Sequence, residues 1–264
     1  MSAHAGDVNS GRAGGGAGRR PMMTFAGMTP KRGHPAADCE DHFSTRGLRF
    51  AVADGASDSG YSQVWARMLA DSFCGLQTAA ASTPAELDAW LAGCRDEWRR
   101  WAGERAVGAL PWFARETLRN GAFATFVGIE FSDEADAPSW HAVACGDACV
   151  FVVRNDALAS AFPLEHPEAF DDPPPLVATA ARLTNYALQT ATGSAEVGDS
   201  FYLVTDALAR WFLAAIDRGD KPWTRLNDVR TSGDLDALVS SARDARALKN
   251  DDVTLMTVVI MGDA

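Results

Sequence analysis

The 264-residue chain is 47% hydrophobic, enough for one large core or two small ones, and its formal net charge is −11. That acidity excludes a nucleic-acid surface and is compatible with a cation-binding site. Five scattered cysteines lack any Cys-x-x-Cys pair, and no stretch approaches about 20 uninterrupted apolar residues, so a disulfide framework, a zinc ribbon and a membrane span are all unexpected. A reducing, cytoplasmic setting and a monomer are the expectation.

Residues 1–21 are rich in Gly, Ala and Ser without periodic apolar positions, which predicts a disordered tail ahead of a folded domain over 22–264. Met22, Met23 and Met28 are alternative starts, and the apolar region after Arg19-Arg20 is too short for a twin-arginine export signal. Residues 23–28 read as a strand and 31–37 as a polar turn. Residues 38–43 and 48–54, joined by Ser44-Thr45-Arg46-Gly47, read as a hairpin that carries Glu40 and Asp41 toward Asp54.

From Ser59 the period becomes helical, with Tyr61, Val64, Trp65, Met68, Leu69, Phe73 and Leu76 on one stripe. Thr83-Pro84-Ala85-Glu86 is a capping box with proline at the first helical position. The helix it opens has Leu87, Trp90, Leu91, Cys94, Trp98 and Trp101 on its apolar face, and its tryptophans read as packing against a sheet. Residues 111–120 form a short third helix that Gly121 can cap.

The strand period returns over 122–131, 140–146 and 149–154, predicting a three-stranded meander. Residues 165–193 have no clean period and contain Asp171-Asp172-Pro173-Pro174-Pro175, so they form a long excursion with at most a short helix: either a lid or a neutral insertion. A strand over 201–205, helices over 207–218 and about 235–247, and a last strand over 253–260 complete an α+β fold, with helices on the outer faces of mainly antiparallel sheets.

Chemistry concentrates at the strand ends. Phe50-Ala51-Val52-Ala53 runs into Asp54-Gly55, residues 140–146 into Asp147, and 201–205 into Asp206, while Asp251-Asp252 leads into the last strand. Antiparallel pairing sets the end of one strand beside the start of the next, so four stretches can deliver carboxylates to one sheet edge. Such a cluster repels itself unless cations occupy it, and hard oxygen donors select Mg²⁺ or Mn²⁺ over zinc. Each aspartate alone is equally what a turn uses.

Cys39-Glu40-Asp41, Val52-Ala53-Asp54-Gly55, the 121–128 run Gly-Ala-Phe-Ala-Thr-Phe-Val-Gly, Cys145-Gly146-Asp147, Leu203-Val204-Thr205-Asp206 and Asn250-Asp251-Asp252-Val253-Thr254 occur in the order seen in type 2C metal-dependent protein phosphatases. The resemblance spans about residues 23–261 and is closest to bacterial members. It implies an αββα sandwich of two antiparallel sheets flanked by helices, with two Mn²⁺ or Mg²⁺ ions at one edge. It further implies that Asp54 bridges both ions, that the Gly55 carbonyl binds one, and that Asp206 and Asp251 hold the second. Glu40 would act mainly through water, Asp41 would support that shell, and Asp147 would share a third, weaker ion.

The implied activity is hydrolysis of phosphoserine and phosphothreonine in proteins phosphorylated by an opposing kinase, through hydroxide formed from a water shared by two cations. The chain departs from the pattern at Ala36, where many relatives carry a phosphate-clamping arginine, at Ala56, where some carry a histidine that protonates the leaving oxygen, and at Ala207, which replaces a glycine. Arg32 is the expected substitute clamp, because guanidinium binds phosphate through two parallel donors; Lys31 and His34 are the alternatives. His34, His42 or a metal-bound water would protonate the leaving group, the two histidines being otherwise ordinary loop and strand-edge residues. The missing arginine leaves a second function open, a non-catalytic module that binds a phosphoprotein or another partner.

Overall fold

The alternation in the strand Arg49–Gly55 sets the architecture. Phe50 and Val52 face one side, Ala51 and Ala53 the other, and all four are buried. A strand buried on both faces needs a layer on each side. In the computed structural model, which describes residues 20–76, 83–106, 112–132, 138–181 and 188–262, those layers are a second sheet and a helix pair.

One sheet has the order β1 (Arg20–Thr29), β11 (Val253–Met261), β10 (Ser200–Val204), β6 (Cys149–Arg154), β7 (Ala157–Phe162). The other has β2 (Asp41–Arg46), β3 (Arg49–Gly55), β4 (Phe123–Phe131), β5 (Ser139–Cys145), β9 (Gln189–Ser194), with β8 (Val177–Ala178) on β4. All the strand pairings are antiparallel. The facing sides enclose a core containing Phe50, Val52, Ile129, Leu203, Met256 and Val258.

Helices α1 (Ser62–Cys74) and α2 (Pro84–Ala106) cover the second sheet, burying Trp65, Phe73, Trp90 and Trp98 against Ala51, Ala53 and Phe126. The tryptophans are packing residues, as expected; Trp65 and Trp98 meet edge to face, with centroids 6.1 Å apart. On the far face, α4 (Asp206–Asp217) and α6 (Ser232–Asp244) bury Leu208, Phe212, Leu235 and Val239 on the first sheet, and Phe212 stacks on Phe151 at 4.2 Å. Two shorter helices, α3 (Trp112–Asn120) and α5 (Pro222–Leu226), complete the described elements. The expected αββα layering is therefore present. Among the described residues no helix is long and apolar enough to cross a membrane.

Several local expectations change. The three-stranded meander does not form. β4 and β5 pair, but β6 lies in the other sheet, between β10 and β7. The chain crosses between sheets through Gly146, whose φ of +94° and whose distance of 2.5 Å from a built Cβ to the Thr125 Cγ2 both demand glycine. Hydrophobic alternation marks a strand without naming its partner. The excursion at 165–193 contains a 3₁₀ turn (Pro167–Asp171), β8 and β9, and the hairpin partner β7 precedes it. The β6–β7 turn is Asn155-Asp156, both at positive φ, which is the type I′ signature. At the N-terminus, Arg20 and Pro21 pair with Met261 and Ile260, so strand pairing reaches into the stretch expected as tail; residues 1–19 lie outside the described set.

Candidate metal centre

A two-residue loop, Gly47-Leu48, closes the β2–β3 hairpin and fixes its register so that Asp41 stands opposite Asp54. Beyond the ladder, the Gly55 N–H donates to the Glu40 carbonyl at 3.2 Å. Gly55 sits so close to its neighbours that a Cβ would lie 2.7 Å from the Ser62 carbonyl carbon and 2.9 Å from the Glu40 oxygen. Glycine is required there by close approach of the start of α1. The buried Ser62 hydroxyl donates to Glu40 Oε1 at 2.5 Å, and Ser57 donates to Glu40 Oε2.

The first sheet supplies the other half. Asp206 follows β10 as the first residue of α4, and Asp251 lies just before β11. Asp147 sits in the crossover between β5 and β6 and is 8% exposed. Asp41 links the halves: its Oδ2 accepts from Thr205 Oγ1 at 3.0 Å and Thr254 Oγ1 at 2.7 Å, both in or beside the first sheet. Its other oxygen, Oδ1, is buried with no hydrogen-bond partner.

The electrostatics show that these carboxylates have been brought together. Burial pushes the Asp54 carboxyl far above the usual range, followed by repulsion from Asp41, Asp206, Asp147 and Asp251. Burial, then Asp206, pushes Asp147 up to about 7. Asp41 rises to about 8, chiefly by burial, although the Thr254 and Thr205 hydroxyls oppose this. Asp206 moves up through burial and the nearby Asp251. Two lysines offset part of the charge. Lys249 Nζ lies 2.7 Å from Asp251 Oδ2 and 3.6 Å from Asp206 Oδ2, and Lys31 Nζ lies 3.3 Å from Glu40 Oε2.

Among the described residues, no three His, Cys, Asp or Glu side chains stand already gathered tightly enough to hold a metal ion. The residues nevertheless suit a hard divalent cation. The donors are oxygen throughout, they repel one another at close quarters, and the buried Asp41 Oδ1 lacks a partner. Cys145 and Cys149 are free, buried thiols whose pKa burial raises, consistent with core packing.

The side chains of Arg32 and His34 pair with carboxylates outside this cluster. The Arg32 guanidinium pairs with Asp244 Oδ1 at 2.8 Å, its backbone N–H donates to Asn250 Oδ1, and His34 Nδ1 lies 3.8 Å from Asp38 Oδ2. His42 pairs with Asp71 of α1 at 3.4 Å. Ala36 starts a short 3₁₀ turn, Ala36–Asp38. Sequence reasoning missed two supporting residues. Asp252, 4% exposed, accepts the backbone N–H groups of Lys31 and Glu40, each at 2.8 Å, and so pins residues 31–40. Arg243 donates to the carbonyls of Pro30 and Asp251. The Asp251-Asp252 doublet was the available signal for the first; nothing local marks the second.

Two sheets face to face, helices on both outer sides and a carboxylate edge define a class, the PPM-type serine/threonine phosphatase fold. Solved structures with this fold include the serine/threonine phosphatase PstP/Ppp of Mycobacterium tuberculosis, at 17% identity and a TM-score of 0.62, covering 91% of this chain and 100% of that one. Stp1 of Staphylococcus aureus matches at 15% identity and 0.60, covering 91% and 96%. The PstP catalytic domain in complex with two manganese ions matches at 16% and 0.61, covering 90% and 99%. No protein-family model and no curated protein matches the sequence.

Proposed function

We propose that the chain is a divalent-cation-dependent protein phosphatase acting on phosphoserine and phosphothreonine. The observation that carries this reading is the convergence of Asp54, Asp147, Asp206 and Asp251 on one edge of a fold whose PstP representative holds two manganese ions. Asp54, the Gly55 carbonyl, Glu40, Asp206 and Asp251 would hold two ions, and Asp147 would contribute to a third. Bound there, Mn²⁺ or Mg²⁺ lowers the pKa of water and neutralises the phosphate.

The chain's own residues position both. Asp41 ties the two sheets at the site, and Asp252 fixes the 31–40 segment. Lys31 reaches Glu40, whereas Arg32 is engaged by Asp244, so Lys31 takes the phosphate-orienting role that an arginine at position 36 would fill. Lys31→Ala should then raise KM for a phosphopeptide by about ten-fold with a smaller change in kcat. The opposite result, with Arg32→Ala raising KM and Lys31→Ala leaving it unchanged, restores Arg32.

Substrates on this reading are phosphoproteins made by an opposing serine/threonine kinase. The deciding experiment is turnover of a phosphothreonine peptide with Mn²⁺, repeated after chelation. Turnover lost with chelator and regained with Mn²⁺ is the expected result. Binding of a phosphopeptide without turnover at any Mn²⁺ concentration would put the non-catalytic module, favoured by Ala36, in its place.

A further inference from the structure

Lys249 occupies a position that the proposed reaction does not use. It lies on the connection between α6 and β11, which is fastened along its length. Leu248 is 6% exposed in the core beneath α4 and α6, the Leu248 N–H returns to the Ala242 carbonyl, and Asn250 holds the backbone of Arg32 from both sides. The Asp251 N–H donates to the Lys249 carbonyl at 3.1 Å, a tight turn that folds the two side chains together. The ammonium therefore sits 2.7 Å from Asp251 and 3.6 Å from Asp206, and its field also reaches Asp147. Its side chain is 63% exposed, so it can swing away without opening a cavity.

We propose that Lys249 is an internal counter-ion: it holds Asp206 and Asp251 together in the metal-free protein and has to yield when a divalent cation takes those carboxylates. The inference rests on the reading of this edge as a metal centre and adds its regulation. An ammonium neutralises one charge of the pair, whereas a divalent ion neutralises two and accepts both oxygens as ligands. The exchange is therefore downhill but weakened by the lysine that is displaced. Lys249 tunes how much Mn²⁺ or Mg²⁺ the protein requires, and it keeps the empty carboxylates from pushing the α4 start and the β11 start apart.

The test compares wild type, Lys249→Met and Lys249→Arg by calorimetric titration with Mn²⁺, and by thermal melting in excess chelator. Lys249→Met should bind Mn²⁺ roughly ten-fold more tightly, because the competing cation is gone, and should melt several degrees lower in chelator, because the repulsion is no longer offset. Lys249→Arg, which keeps the charge, should stay within about three-fold of wild type. Equal Mn²⁺ affinity and equal melting of the wild type and Lys249→Met, in protein that does bind Mn²⁺, would overturn the proposal and leave the metal-centre reading standing. Absence of Mn²⁺ binding in all three proteins would overturn both.

Discussion

The paired strands β6 and β10 have buried or half-buried aspartates at both ends of the pair, and the two ends are built in opposite ways. At one end, Asp199 is 1% exposed and is held by both arms of Arg154, Nε at 2.8 Å and Nη2 at 2.7 Å. The same guanidinium reaches Glu196 and the Ser194 carbonyl at the end of β9, which joins the two sheets. At the other end, Asp147 and Asp206 stand among like charges; among the described residues no arginine side chain pairs with them, and the exposed Lys249 and backbone N–H groups offset only part of the repulsion. One fold thus disposes of buried carboxylate in two ways. Complete internal pairing makes a clamp, whereas incomplete pairing leaves charge that, on the proposed function, external cations would neutralise.

The contrast breaks most visibly at Asp54. Asp54→Asn should reduce Mn²⁺-dependent turnover of a phosphothreonine peptide by roughly 1,000-fold or more while leaving the far-UV spectrum and melting close to wild type. Retention of more than about a tenth of the rate would remove Asp54 from the bridging role. At the other end the cost falls on stability. Arg154→Met leaves Asp199 buried without its counter-ion, keeping only the Glu196 backbone N–H, so urea unfolding should show a loss of about 3 kcal/mol with peptide turnover per folded molecule unchanged.

A third measurement separates the ends by pH. Asp147, raised to about 7, and Asp41, raised to about 8, keep protons in the metal-free folded state that the unfolded chain releases near pH 4. For these two groups the folded state binds more protons than the unfolded one, so the stability they contribute is greatest at low pH and falls as pH rises from about 4 to about 8, flattening above. Melting in chelator should drop by several degrees across that window, and saturating Mn²⁺ should abolish the drop. A flat profile in chelator would show that the carboxylates do not hold those protons. The smallest effect belongs to Glu196, whose ion pair with Arg154 is half-exposed; Glu196→Gln should change stability by less than about 0.5 kcal/mol.

These contrasts also show what a sequence makes legible. The acidic edge could be read because Asp54, Asp147 and Asp206 each end a hydrophobic run and Asp251 precedes one, and antiparallel pairing does the rest. The start of α2 was legible because its cap is local, the Thr83 hydroxyl taking the Glu86 N–H at 3.3 Å, whereas the equally local capping box of Thr231 and Asp234 starts α6 at Ser232, ahead of the expected start near 235. β7 and β9 escaped because Ala157–Phe162 and Gln189–Ser194 are built from small and polar residues that carry little periodic signal. The Arg154–Asp199 clamp escaped because its partners are far apart in sequence and meet only through strand pairing. Donor geometry points to Arg32 as a clamp, but its guanidinium pairs with Asp244 at the end of α6, a neighbour that no local pattern reveals.

Asp41 has one further consequence. Its strand belongs to one sheet, whereas the hydroxyls that hold it, on Thr205 and Thr254, belong to the other. Glu40 and Asp54 are likewise on one side of the seam, and Asp206 and Asp251 on the other. A slip of one sheet along the other by a single residue, about 3.3 Å, would leave both hydrogen-bonded ladders whole and still pull the carboxylates out of reach of a common ion. The candidate centre therefore depends on the alignment of the sandwich, which the close-packed core between the sheets and the Asp41 hydrogen bonds hold, and a cation spanning the seam would act as a further rivet against shear.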